Sequence, residues 1–304
     1  MTRAFAAFAT LACLALAAFG VTACSPLALF DAIGPRDQGG RLAQKSAAFG
    51  THPRQRLDVF TPVGGAADAT VLVFFYGGSW KSGAKDDYEF VGQALAAQGF
   101  VTVIPDYRVY PEVRFPDFLD DGAAAIAWVR DNIAEYGGDP RRIVLAGHSA
   151  GAYNALMLGL DPRYLRKAGV DPKVIRAVAG LSGPYDFHPF DQDTSRDVFG
   201  QAPDPAATQP ITFAGPHSPP AFLASGDNDT IVRPQNTQSL AARLRAVRVP
   251  VQERIYPGLD HADTLLALSV TFRSKAPELS EMTTFLKQYA GTQQHVRSVS
   301  RWDR

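Results

Sequence analysis

Short apolar runs alternate with longer amphipathic stretches along most of this chain. The runs are Thr70 to Tyr76, Phe100 to Pro105, Ile143 to Ala146, Val174 to Leu181, Ala221 to Ser225 and Val251 to Tyr256. Each is rich in Val, Ile, Phe or Ala and bounded by Gly, Pro or Asp, the pattern of strands buried on both faces. Between them, Asp86 to Gln98, Asp117 to Tyr136 and Gln235 to Val247 carry apolar residues at three- and four-residue spacing. Gly137-Gly138 ends the second stretch and Pro234 opens the third, as helix termini favour. Strands alternating with helices predict an α/β fold, a mostly parallel sheet covered on both faces. The Pro- and Asp-rich interval 183–220 breaks this rhythm and reads as an excursion over the sheet edge, where substrate-binding loops are often placed.

The N-terminus follows a different pattern. After Met1, Thr2 and Arg3, residues 4–20 are largely apolar and rich in Ala, followed by Val21-Thr-Ala-Cys24. The stretch is slightly short for a membrane-spanning helix and suits an export signal over residues 1–23. Its ending resembles the lipobox of bacterial lipoproteins. That resemblance implies acylation of Cys24, a membrane anchor at the N-terminus and a location facing the periplasm or cell exterior, with ordinary cleavage after Ala23 as the alternative. Residues 24–55 carry Gly34-Pro35 and Gly39-Gly40 without sustained periodicity and are expected to be a tether. The main domain is expected over 56–290, with a polar tail over 291–304.

Composition narrows the chemistry. Thirty basic residues balance thirty acidic ones among 304, and no Lys/Arg run marks a nucleic-acid surface, so no nucleic-acid partner is expected. Cys13 and Cys24 are the only cysteines. Loss of the signal leaves no intrachain disulfide and no Cys-based metal site. Asp191-Gln-Asp-Thr-Ser195 begins like a calcium loop, but Arg196 and Ala202 stand where the turn glycine and the bidentate Glu belong. No metal site is expected.

The most informative string is Gly147-His-Ser-Ala-Gly151, preceded by an apolar strand and followed by a helical pattern. In such an elbow the serine sits on a strained turn and the flanking glycines avoid backbone clashes. Ser149 is therefore the candidate nucleophile, with the Ala150 N–H beside it at a helix N-terminus. A serine hydroxyl needs a base, and in this class of fold the chain order is Ser, acid, His. His261, in a loop after the last apolar run, is the base candidate. The acid lies in Gly226-Asp-Asn-Asp229, where Asp229 is favoured and Asp227 is read as a turn residue. Tyr76-Gly77-Gly78 follows the first run, so the Gly77 or Gly78 amide and the Ala150 amide would form an oxyanion hole.

Together with Pro105-Asp-Tyr-Arg108, Tyr110-Pro-Glu112 and Tyr136-Gly-Gly-Asp-Pro140, these motifs resemble, in order and spacing over residues 56–290, the esterase and lipase branch related to hormone-sensitive lipase, in particular its feruloyl-esterase-like and kynurenine-formamidase-like carboxylesterases. The resemblance implies the α/β-hydrolase fold, a Ser149-Asp229-His261 triad, a small-molecule ester substrate and no cofactor. The family usually has His where Tyr76 stands. Tyr76 would either hold the oxyanion loop through its hydroxyl or narrow the acyl pocket. Tyr76, Trp80 and His148 are the candidate pocket residues, and Asp106, Tyr107 and Arg108 are expected to buttress the loops. Tyr185, Phe187, Phe190 and Phe213 would line a pocket over Ser149 or pin the excursion to the domain. An arylformamidase-like amidase and a non-catalytic envelope lipoprotein are the alternative functions. Acyl length and oligomeric state are not legible in the sequence.

Overall fold

The computed structural model describes residues 26–291. The expected signal, Cys24 and the tail beyond residue 291 lie outside them. The strands are β1 (Gly40–Ala48), β2 (Arg56–Pro62), β3 (Ala69–Phe75), β4 (Val101–Pro105), β5 (Gly138–His148), β6 (Ile175–Leu181), β7 (Ala221–Gly226) and β8 (Val251–Tyr256). They form one sheet in the order β1-β2-β4-β3-β5-β6-β7-β8. β1 and β2 run antiparallel to their neighbours, while β3 to β8 are parallel. The helices are α1 (Pro26–Ile33), α2 (Glu89–Ala97), α3 (Asp117–Asn132), α4 (Ala150–Leu160), α5 (Pro162–Lys167), α6 (Asp193–Phe199), α7 (Gln235–Ala246), α8 (Asp263–Leu266) and α9 (Glu278–Gly291).

All six expected runs are strands. Residues 71–75 of β3, all of β4 and residues 143–148 of β5 are buried, which removes any alternation from the sequence. α4 and α9 both pack across β5 and β6, one on each face, so the sheet is covered on both sides. The parallel registers align Phe75 with Gly147, His148 with Leu181, Leu181 with Ala224, and Gly226 with Tyr256. The C-terminal ends of β3, β5, β7 and β8 therefore meet at one edge, where an open α/β sheet gathers its functional loops.

One expectation is corrected, and one strand is added. The segment read as a tether over residues 24–55 contains α1 and β1. β1 is an edge strand whose residues alternate between exposed and half-buried, and two register shifts interrupt its pairing. A single half-covered face with few large apolar residues leaves little periodicity to read. β2 was also missed as a strand because a buried carboxylate, Asp58, interrupts its apolar run; Asp58 lies 3.0 Å from Lys85 and accepts the Ser46 N–H.

Candidate active site

β5 hands directly into α4 with Ser149 between them at φ 56°, ψ −124°, a conformation that costs a non-glycine residue on the order of 1–3 kcal/mol. Packing holds it there. The Ser149 N–H donates to the Leu181 carbonyl at 2.9 Å. A Cβ on Gly147 would stand 2.3 Å from the Gly151 carbonyl oxygen, and one on Gly151 would stand 2.0 Å from that of Phe75. Only glycine lets the turn nest against the end of β3.

The loops after β7 and β8 bring the other two groups. His261 Nδ1 lies 2.9 Å from Asp229 Oδ2, and His261 Nε2 lies 2.9 Å from Ser149 Oγ. A carboxylate can only accept, so the imidazole carries its proton on Nδ1 and presents a bare Nε2 to the serine hydroxyl. Asp229 Oδ1 accepts the Ile231 and Val232 N–H groups at 3.0 and 2.9 Å. Burial alone would raise the Asp229 pKa. The bond and charge of His261, the Val232 amide and the Ser182 hydroxyl outweigh it and hold the carboxyl below its ordinary value. Asp227 instead accepts the Gly258 N–H at 2.7 Å, the turn role expected of it.

The oxyanion loop adds one candidate to those expected from the sequence. Burial raises the Tyr88 pKa and the nearby Gly77 amide offsets part of that rise, while Gly77 itself lines the cleft in front of Ser149. Gly77 is also required by packing, since a Cβ there would come within 3.1 Å of Ser149 Cβ. Among the described residues, the N–H groups of Gly78, Ser79 and Ala150 have no partner, and all three residues line the space in front of Ser149. Ser79 is a donor candidate that the sequence reading missed. Its signal is its place as the third residue of the loop, at a left-handed φ of 56° where glycine would be expected.

Of the three pocket candidates, Trp80 and His148 line the cavities at Ser149 and Tyr76 lines neither. Tyr76 is fully buried, donates its hydroxyl to Asp106 at 2.8 Å and accepts from Arg54 at 3.0 Å. Of its two readings, the loop-holding one matches this geometry. Arg54, assigned to the tether, also donates to the carbonyls of Gly83 and Tyr107 and so ties β3 to the loops around it. His148 is buried, and its Nε2 lies 2.8 Å from the His261 carbonyl. A carbonyl only accepts, so the ring is the Nε2–H tautomer and supports the loop that carries the base. Burial first, then the nearby His261, lowers the His148 pKa to about 3, so the ring stays neutral. Trp80 lines the cavity as expected, with its Nε1 donating to Asn154 at 3.1 Å. Asp106, Tyr107 and Arg108 form the expected buttress: Tyr107 donates to the Tyr76 carbonyl, and Arg108 pairs with buried Asp121.

Two cavities open on Ser149. One of about 450 Å³ is bounded by Trp80, Ala150 and polar groups of the excursion and the β7 loop, among them Asp186, His188, Gln192, Arg233 and Asn236. Phe187 lines it, while Tyr185 is wholly buried and Phe190 packs on Phe199. The aromatic cluster thus both lines and pins. The other cavity, about 550 Å³, lies on the His261 side.

A family model matches this chain over residues 57–244. The chain belongs to the BD-FAE family. The BD-FAE match spans the strands that carry the nucleophile and acid and stops before the loop that carries His261. Among curated relatives, the probable isoprenylcysteine alpha-carbonyl methylesterase ICMEL1 of Arabidopsis thaliana is 28% identical over 246 residues, 73% of this chain and 52% of that protein. Esterase LipC of Mycobacterium tuberculosis (strain ATCC 25618 / H37Rv) is 33% identical over 250 residues, 73% and 60% respectively. This BD-FAE chain therefore spans little more than half the length of the curated relatives it matches. Among solved structures, esterase B from Lactobacillus rhamnosis (HN001) superposes with a TM-score of 0.75 at 18% identity, covering 95% of this chain and 96% of that one. A truncated carbohydrate esterase from gut microbiota gives 0.72 at 19%, covering 85% and 100%. Both share the α/β-hydrolase fold.

Proposed function

We propose that this protein is a serine esterase that hydrolyses carboxylic esters through an acyl-enzyme on Ser149. The observation that carries the reading is the continuous chain from Asp229 through His261 to Ser149 Oγ, with both contacts at 2.9 Å. Esterase names among the relatives support it. As Ser149 Oγ bonds to the acyl carbon, its proton passes to His261 Nε2, and Asp229 stabilises the imidazolium that forms. The carbonyl electron pair moves onto oxygen, facing the Ala150 amide and those of Gly78 and Ser79. Collapse expels the alcohol, which takes the proton from His261. Water then repeats the sequence and releases the acid. No cofactor takes part.

A fluorophosphonate is expected to add mass to the peptide containing Ser149, and Ser149→Ala to lower kcat by about 10⁵-fold or more. An unlabelled peptide, or a Ser149→Ala protein with wild-type hydrolysis, overturns the reading. We also propose that the chain is exported and acylated at Cys24, on the strength of the apolar N-terminal stretch and the Val21-Thr-Ala-Cys24 ending. Mass analysis of the N-terminal peptide tests this.

A further inference from the structure

The two cavities at Ser149 differ in chemistry, and one is built partly by the first described element of the chain. The 550 Å³ cleft reaches Ser149 and His261 and is walled by Leu27 and Phe30 of α1 with Ile231, Leu265, Leu266 and Phe272. None of its lining residues is Asp, Glu, Lys or Arg. Its size falls in the range of about 300–1,000 Å³ usual for small-molecule sites. The opposite cavity presents Asp186, Asp191, Arg233 and Asn236. An ester bound across Ser149 would therefore place a polar portion on one side and a hydrocarbon portion on the other.

α1 is fixed in its position. Asp31 is buried, accepts the Phe90 N–H at 2.8 Å and forms a bidentate pair with Arg36. The Phe30 ring meets Phe90 edge-on at 5.3 Å and Phe272 at 5.7 Å. The outward face of α1 is apolar as well. Leu29 and Ile33 are 56% and 77% exposed, and Ile231 on the cleft wall is 62% exposed. α1 begins at Pro26, two residues after Cys24. Two residues reach at most about 7 Å, so a lipid on Cys24 would hold this helix against the bilayer with no tether between them.

We propose that the substrate is an amphiphilic ester resident in the lipid surface, whose hydrocarbon chain enters the cleft walled by α1. This rests on the esterase reading and names its substrate class. The occupant of the apolar rim is the membrane, against which the proposed acyl group on Cys24 would hold the protein. α1 then joins two functions: it delivers the cleft to the surface and sets the chain length accepted.

With soluble p-nitrophenyl esters from acetate to octanoate, kcat/KM is expected to rise roughly two- to fourfold per added methylene until the cleft is filled. Leu27→Asp, which places a charge in the cleft, should lower the octanoate-to-acetate ratio of kcat/KM by about tenfold or more. Leu27 is half-buried. Leu27→Trp keeps the helix apolar and should instead shift the optimum to shorter chains. A flat wild-type profile, or a ratio unmoved by both variants, overturns the inference while leaving the esterase reading intact. Absence of both hydrolysis and Ser149 labelling removes the esterase reading itself. In a second arm, the full-length protein carrying its native N-terminus is reconstituted into phosphatidylcholine vesicles. A long-chain fluorogenic ester in the same vesicles should be hydrolysed at least several-fold faster than the same ester in separate vesicles. Equal rates, or an unmodified Cys24, exclude the membrane as its source.

Discussion

At the residue scale, His148 is the side chain whose position says most. It occupies the variable place in the elbow motif, so the sequence offered it as a pocket residue. The structure places it on the cleft wall and turns its Nε2–H to the carbonyl of His261, the residue that must hold its ring between Asp229 and Ser149. His148→Phe keeps the bulk and removes the donor. A lost hydrogen bond of about 1 kcal/mol predicts a kcat lowered roughly five- to tenfold, with KM changed far less. The same residue predicts a pH signature. In the unfolded chain His148 takes up a proton near its ordinary value of 6.5, while in the fold it resists until about 3. Over that window the unfolded state binds more protons, so His148 makes stability fall as the pH drops. Thermal melts from pH 7 to pH 4 should show wild type losing stability relative to His148→Phe. A constant difference across that range contradicts a buried neutral ring. The candidate nucleophile was legible because its strand, turn and helix are adjacent in the chain. The supporting role of His148 was not, because its partner lies 113 residues away.

At the scale of elements, the junction of β5 and α4 shows how backbone contact dictates sequence. Gly151 stands where β3 ends, and a side chain there would enter the Phe75 carbonyl. Gly151→Ala must push two central strands apart or displace the elbow, and either path is expected to cost about 1–3 kcal/mol and to remove most activity. Comparing soluble yield, melting temperature and turnover of Gly151→Ala with wild type checks this; an active variant of wild-type stability would mean the junction is looser than described. The expected helices and parallel strands were visible in their periodicity. α1, β1 and β2 were not, since α1 is short and apolar on two faces, β1 covers only one face, and Asp58 interrupts β2. Arg54 shows the consequence. Read as the end of a tether, it is the cation that joins Tyr76, Gly83 and Tyr107 beneath the oxyanion loop.

On the scale of the whole molecule, the doubly covered sheet buries enough to hold a carboxyl group without a partner. Glu278, at the start of α9, is fully buried, and neither carboxyl oxygen has a hydrogen-bond partner among the described residues. Burial first, and the charge of Glu281 second, raise its pKa well above the ordinary carboxyl value. The folded protein thus keeps a proton that the unfolded chain releases above that value. Stability from this group is full in acid and declines as the pH rises. Glu278→Gln should be more stable than wild type at pH 8 by about 1–3 kcal/mol, read as roughly 2–4 °C of Tm per kcal/mol, with the gap closing toward pH 4. A gap that widens in acid would reverse the assignment. The sequence by itself determined the α/β alternation, the strained serine turn, and the order of nucleophile, acid and base, because each is written in neighbouring residues or in simple chain order. Only the tertiary structure decided which free amides line the space before Ser149, which histidine is buried beneath the other, and that the helix after Cys24 walls the cleft at Ser149. Those facts depend on strand order and packing, which bring together groups that the chain keeps more than two hundred residues apart.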